Sequence, residues 1–304
     1  MFKKTALVAG IGLALSATAQ ADYRWELGGD YTMSETEAEV KTNRGDRKSD
    51  DLDADVGRVF GTWYLENVDT SKGPLSEAAF LDHASDITIE ASDGEVDLSS
   101  VDDRLDDEDG QRYGISGRYV AEGPGWMLSG WLVDLSFERA EPGEAEIDTY
   151  NLGIGNYITE NTTLVLNYGN TSVNNGGDSD AYSLDLEHMW LMDNGGFKAR
   201  ASYGVNTIKN ADDIDTYRVG GTWYFTNNIG IGADYLNTGT DGYEVQGWQV
   251  SSEWFFTESF AMNLAYSQLD PDDRDFTRNA IGGPVNGKIE LETDAITLGA
   301  KLRF

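Results

Sequence analysis

Few residues in this chain could do chemistry, and they are awkwardly spaced. There are two histidines and no cysteine. His83 follows Asp82, and His188 follows Glu187, so each imidazole has its acid as a sequence neighbour. On an extended strand, neighbouring side chains point to opposite faces, so neither pair can work as an acid–base couple. His188 shares its face with Trp190, where packing is the expected role. Without cysteine there is neither a thiol nucleophile nor a disulfide. The stretch "DLDADVG" from Asp51 has the spaced acids of a calcium loop. Such a loop needs glycine at its sixth position and glutamate at its twelfth; here these are Val56 and Thr62. Leu52, Ala54 and Val56 alternate with the acids instead, which reads as a strand. No metal or cofactor is expected.

Charge is the stronger signal. The chain carries 54 acidic and 22 basic residues, for a net charge of -32. That sign argues against a nucleic-acid partner. Asp93–Asp109 holds nine acids opposed only by Arg104. Its densest part is Asp102, Asp103, Asp106, Asp107, Glu108 and Asp109. Three readings stay open: a solvated loop, a loop folded inward as a constriction, or a divalent-cation surface beside anionic lipid. The overall acidity also suits a salty medium, where surface carboxylates aid solubility. A second charged set is spread along alternating positions: Arg24, Arg112, Arg118, Asp185, Glu187, Lys198, Arg200, Arg218, Lys301 and Arg303. Groups of both signs on one face of a sheet need water beside them.

The elements that must position them alternate with period two, the mark of strands with one apolar face. Tyr217, Val219, Gly221, Trp223 and Phe225 face one way, against Arg218, Gly220, Thr222 and Tyr224. After the turn "TNN" the alternation resumes at Ile229, Ile231, Ala233 and Tyr235. About fourteen such segments lie near 22–33, 51–65, 77–92, 111–121, 125–138, 147–158, 162–173, 181–191, 197–208, 216–225, 229–238, 243–256, 259–269 and 287–304. Segments of about ten residues with alternating polarity are the signature of a transmembrane antiparallel up-and-down β-barrel. The third, "SEAAFLDHASDITIEAS", is the weakest, and Ser76 to His83 reads equally as a short helix in a connector. Losing it lowers the count toward twelve, and the range runs from 12 to 16. Near Gly57, Gly247 and Thr293 the alternation breaks, through bulges or through strands that extend above the membrane.

Short connections such as "TEN", "TNN" and "TES" alternate with the long polar ones Ser34–Asp50, Asp93–Gly110 and Asp270–Gly287. Such barrels turn tightly on the periplasmic side and carry longer outer loops. "GTWYLENV", "GTWYFTNN", "SSEWFFTES" and the weaker "GNYITENT" repeat one strand ending. It places Trp63, Trp223, Phe225, Trp254 and Phe256 in an aromatic girdle on the lipid face, which Trp190 and Phe304 join from other strand ends. The start "MFKKTALVAGIGLALSATAQA" has the layout of a cleaved secretory leader over 1–21, leaving 22–304 as the barrel.

At Phe60 to Leu81, "FGTWYLENVDTSKGPLSEAAFL", the chain resembles the putative general bacterial porin family. An aromatic strand end there runs through Val68 and Gly73-Pro74-Leu75 to Glu77-Ala78-Ala79-Phe80-Leu81. The resemblance implies an outer-membrane diffusion channel and supplies no functional residues to carry over. The C-terminal Phe304 is similar to the signal read by the barrel assembly machinery. The expected function is passive passage of small hydrophilic solutes and ions, with cation preference from the net charge. Two alternatives stand beside it. One is a solute-specific channel that binds acidic oligosaccharides on its arginines. The other is a non-conducting adhesive or structural protein, favoured if loops plug the barrel. Enzymes of the phospholipase and protease type on such barrels need a histidine constellation absent here. Expected partners are outer-membrane lipid and lipopolysaccharide, with a homo-oligomer left open.

Overall fold

The computed structural model describes residues 22–43, 47–48, 52–97, 108–121, 130–143, 145–174, 176–209, 211–240, 242–280 and 283–304. The leader and Asp102, Asp103, Asp106 and Asp107 lie outside the described residues. The strands are β1 (Asp22–Thr42), β2 (Arg47–Lys48), β3 (Leu52–Asp69), β4 (Asp86–Asp97), β5 (Glu108–Val120), β6 (Trp131–Pro142), β7 (Ile147–Thr159) and β8 (Thr162–Val173). They continue as β9 (Asp178–Met192), β10 (Gly195–Ile208), β11 (Ile214–Thr226), β12 (Ile229–Thr240), β13 (Tyr243–Thr257), β14 (Phe260–Pro271), β15 (Arg274–Ala280) and β16 (Gly283–Arg303). Each barrel strand pairs antiparallel with its sequence neighbour, and β16 returns to β1. Fourteen strands therefore close the barrel, while β2 and β15 only flank β1 and β16. Closure leaves no unpaired edge within the hydrocarbon, where no water could satisfy one.

One expected strand is shorter than its segment, and the helix offered as the alternative for Ser76 to His83 is present. The segment at 77–92 begins as a strand only at Asp86. Before it come two short turns and the helix α1 (Ala78–Leu81). Its sequence Ala-Ala-Phe-Leu is apolar on every side, so no alternation could seat it in a wall with one wet face.

The repeated ending is a repeated turn. Register shifts occur between Tyr157 and Thr159, Tyr224 and Thr226, and Phe255 and Thr257. After each, the threonine hydroxyl accepts from the N–H two residues on: Asn161 at 3.3 Å, Asn228 at 3.2 Å and Ser259 at 3.3 Å. A side chain closing its own turn in this way is a standard role for threonine. At the β9–β10 turn, Gly195 has φ +123, and an added Cβ would strike the Tyr224 carbonyl oxygen. Only glycine can take that position.

Two belts bound the apolar outer face. The lower one includes Trp63 stacked on Trp25, Trp190 on Phe197, and Trp254 on Phe256. Trp223, Phe225 and Phe304 are also exposed on it. His188 packs edge-on to Trp190 and meets the Thr162 hydroxyl at 2.6 Å. The upper belt is a run of tyrosines that sequence reading missed. Tyr150, Tyr168, Tyr182, Tyr203, Tyr217 and Tyr235 stand outward on successive strands. Eight residues separate Tyr182 from Trp190 and Tyr217 from Phe225. That is about 26 Å along a strand, close to the ~25 Å apolar band of such barrels.

Above the tyrosines the pairing runs without a shift through Gly57, Gly247 and Thr293. The apparent breaks in alternation are thus a change of environment. On β16, Ile296 and Leu298 face out at lipid level. Higher up, Glu290 and Glu292 take the outward positions, and Ile289 and Leu291 turn inward. Outside the hydrocarbon an outward carboxylate is solvated, so the apolar partner goes to the inner side.

Candidate functional site

The inner face of the lower barrel end is where the hydrophobic core sits, and residues 70–85 fill it. These residues join β3 to β4 and fold into the barrel mouth. Ala78 and Ala84 pack with Tyr23, Tyr64 and Val68 of β1 and β3. Leu75 packs with Phe255 and Ala261 of β13 and β14. Leu81 joins Met189 and Tyr224 of β9 and β11. Phe80 lies against the cluster of Val120, Leu132, Tyr157 and Val165 from β5 to β8. Every buried hydrophobic cluster among the described residues is therefore connector against wall.

This gives the repeated ending its second purpose. Its tryptophan position faces lipid, and the next residue faces in. Tyr64, Tyr157, Tyr224 and Phe255 occupy that inward position in the four copies, and each is buried against the connector. A water-filled lumen would favour polar groups there. Four inward aromatics, together with the unpatterned apolar "GPLSEAAFL", were the sequence signal for a packed stopper.

Polar contacts lock the same segment. Glu77 accepts from Lys198 Nζ at 2.9 Å and from the Tyr224 hydroxyl at 2.5 Å. Glu77 and Lys198 are 8% and 9% exposed, so this is a buried charge pair. Arg303 donates to the Leu75 carbonyl at 2.6 Å and to Glu26 at 2.6 Å. The Leu75 N–H donates to Asn227 O at 2.8 Å. Tyr157 donates to Phe80 O at 3.0 Å. His83 holds φ 56, lies tilted against Tyr157 at 3.8 Å between ring centroids, and its Nε2 meets Glu160 O at 2.7 Å.

The connector's first turn is capped by Asp69, whose carboxylate accepts from the Ser71 N–H at 2.8 Å. The Ser71 hydrogen bonds hold its carboxyl below the usual range. A depressed folded-state value means that the cap is intact above the ordinary aspartate range and is lost as pH falls through the lowered one. Background current through the closed barrel should therefore rise as pH is taken below the ordinary aspartate value of about 4. Asp69→Asn should flatten that rise; an unchanged profile in the variant would remove Asp69 from the account.

Above the stopper the lumen is lined by small polar residues and ion pairs. Arg118 makes a two-pronged bond to Asp134 at 2.7 and 2.8 Å. Arg200 donates to Asp234 through Nε, at 2.6 Å, and Nη2. Arg218 reaches Asp234 at only 3.5 Å. Lys198 also meets Glu187 at 3.3 Å, Arg112 meets Glu138 at 3.4 Å, and Lys301 meets Glu253 at 2.7 Å. Arg58, not anticipated, binds Asp30 at 2.7 Å and Glu90 at 3.5 Å. Asp185 accepts from Asn167 and from Ser183. The basic groups expected to face acids across open water are paired instead along the wall.

Arg24 is not among them. A register shift between Tyr23 and Trp25 turns it outward, where it lies over the Trp63 ring and donates to Leu65 O at 2.6 Å. Glu26 takes the inward place beside Arg303 and Lys301. Asp109 stands in β5 opposite Glu95, and Glu108 begins that strand. Among the described residues no cluster of histidines and acids could hold a metal ion.

A closed fourteen-strand barrel with two aromatic belts and a charged, polar interior defines an outer-membrane channel protein of Gram-negative bacteria. Residues 13–195, more than half of the chain, match the family described as putative general bacterial porin, and the chain belongs to it. The fold is similar to that of the outer-membrane protein Omp33 of Acinetobacter baumannii. That likeness has a TM-score of 0.59 at 22% identity, over 93% of this chain and 99% of that one. A mutant of the monoaromatic hydrocarbon channel TodX is similar at TM-score 0.54 and 11% identity, over 97% and 93% of the two chains. No curated protein matches the sequence.

Proposed function

We propose that the protein is a cation-preferring passive channel for small hydrophilic solutes and ions, with residues 70–85 as a stopper at its periplasmic mouth. One observation carries the preference. Every described lysine and arginine facing the lumen has a carboxylate within 3.5 Å, while Asp86 and Asp185 have no basic partner at salt-bridge distance. Arg200 and Arg218 share Asp234, which leaves one cation over, but Arg58 and Lys198 each meet two acids, so with Asp86 and Asp185 the excess is acidic and sets the field felt by a permeating ion. No catalytic role is assigned to any residue. Phe304, exposed at the end of β16, is the proposed contact for the assembly machinery, and the belts face outer-membrane lipid and lipopolysaccharide.

The experiment is planar-bilayer conductance of the refolded chain under a salt gradient. A reversal potential of cation sign supports the proposal, and one of anion sign overturns the preference. The packed connector favours a second reading, a barrel that does not conduct. Silence from an inserted, folded barrel, persisting after the connector is loosened, would establish that reading instead.

A further inference from the structure

A hollow of about 340 Å³ opens in the lumen wall just above the stopper, lined by β8 to β11 and by Arg118 of β5 and Asp134 of β6. That lies within the ~300–1,000 Å³ of small-molecule sites. Its charges are not equally engaged. The guanidinium forks of Arg118 and Arg200 are each filled by one carboxylate. Arg218 is different: its Nε makes one long contact to Asp234, and its two terminal nitrogens have no acceptor among the described residues. Half of its side chain is exposed, and it lines the hollow.

The acids facing it are also partly free. Asp185 uses Oδ2 for both of its hydrogen bonds, leaving Oδ1 open. Glu187 uses Oε2 toward Lys198, leaving Oε1 open. Asp185 and Glu187 are two residues apart on β9, so both point into the lumen. Ser202 pairs with Asp185 on one side and with Arg218 on the other. The acid and the guanidinium thus stand two strands apart, about 10 Å between backbones, with only a serine between them.

We propose that this hollow binds small zwitterions of the amino-acid type, with the carboxylate on the Arg218 fork and the ammonium on Asp185 and Glu187. A guanidinium fork matches a carboxylate in two parallel hydrogen bonds. An ammonium supplies three donors, enough for both open acid oxygens. A simple anion would leave the two acids unmatched, and a simple cation would face Arg218. The inference rests on reading the lumen as a solute path, and it names the solute class.

The test is equilibrium titration of the full-length refolded barrel in detergent with L-glutamine, which needs no conduction. N-acetyl-glutamine and glutamine methyl ester serve as probes with a single charge. Saturable binding of glutamine is expected, at least about tenfold tighter than either probe. Arg218→Gln and Asp185→Asn should each weaken it about tenfold or more, since one charged partner goes unmatched. Arg218→Lys, which keeps the charge and loses the fork, should fall between. Circular dichroism and heat-modifiable gel mobility check that each variant is folded. Equal binding of the acetylated probe would make this an anion site, and equal binding of the ester a cation site. Either result, or no saturable binding to the folded barrel, overturns the proposal. Conductance is read separately, so a silent barrel that binds glutamine would sink the channel reading alone.

Discussion

Replacing Leu75 and Leu81 together by alanine is expected to turn a mostly closed channel into a mostly open one. The two side chains sit in different clusters, one against Phe255 and Ala261, the other against Met189 and Tyr224. Their losses should therefore add. A buried leucine cut to alanine costs about 2–5 kcal/mol. Two such cuts remove about 4–10 kcal/mol from the docked connector. Each 1.4 kcal/mol is a factor of ten in an equilibrium, so the docked population should fall by at least several hundredfold. The barrel itself should survive, because the fourteen-strand ladder includes none of residues 70–85. Unitary conductance should become large and steady while the fold by circular dichroism is retained. An equally small conductance in the folded variant would place the constriction elsewhere.

The second large effect concerns the buried pair. Glu77→Gln keeps the shape and one acceptor for Tyr224 but removes the charge opposite Lys198. Breaking one side of a buried pair costs about 3–5 kcal/mol when the other charge is stranded. Lys198 is not wholly stranded: Glu187 lies at 3.3 Å, and the Phe80 ring is 4.8 Å away. About 2–3 kcal/mol is therefore the expected loss, near the upper range for hydrogen bonds to charged groups. Open probability should rise by roughly 30- to 150-fold. Lys198→Met combined with Glu77→Gln should recover much of the closed state, since no buried charge is then left unpaired. If the two substitutions simply add, the pair does not act as a latch.

Strand count and strand order were legible in the chain because lipid on one side and water on the other force a period of two. Tyr217 through Phe225 alone carry that pattern, and β9 to β14 fall within a few residues of their expected limits. The signal failed where one of those two environments was missing. Above Gly57 and Thr293 no lipid lies outside, so the apolar side turned inward and imitated a break. Around Ser76–His83 no water lies inside, and apolar residues on all sides broke the alternation, which left the strand weak there and the connector helix as its alternative; the helix is what forms. Arg24 went astray through a bulge, which shifts facing by one residue and leaves no mark in local composition.

The amino-acid sequence by itself determined an outer-membrane barrel of about fourteen strands with a tryptophan belt and a charged interior; the exact count came with closure. Barrel, belt and charged interior follow from local alternation, which each segment expresses alone. The tertiary structure decided which charges cancel, because partners such as Arg200 and Asp234 are brought within reach only by strand register. It also decided that the lower mouth is stoppered. Glu77 meets Lys198 across 121 residues of chain and Tyr224 across 147, contacts created by closing the barrel around the connector. Closure is a long-range event, and no window of sequence contains it.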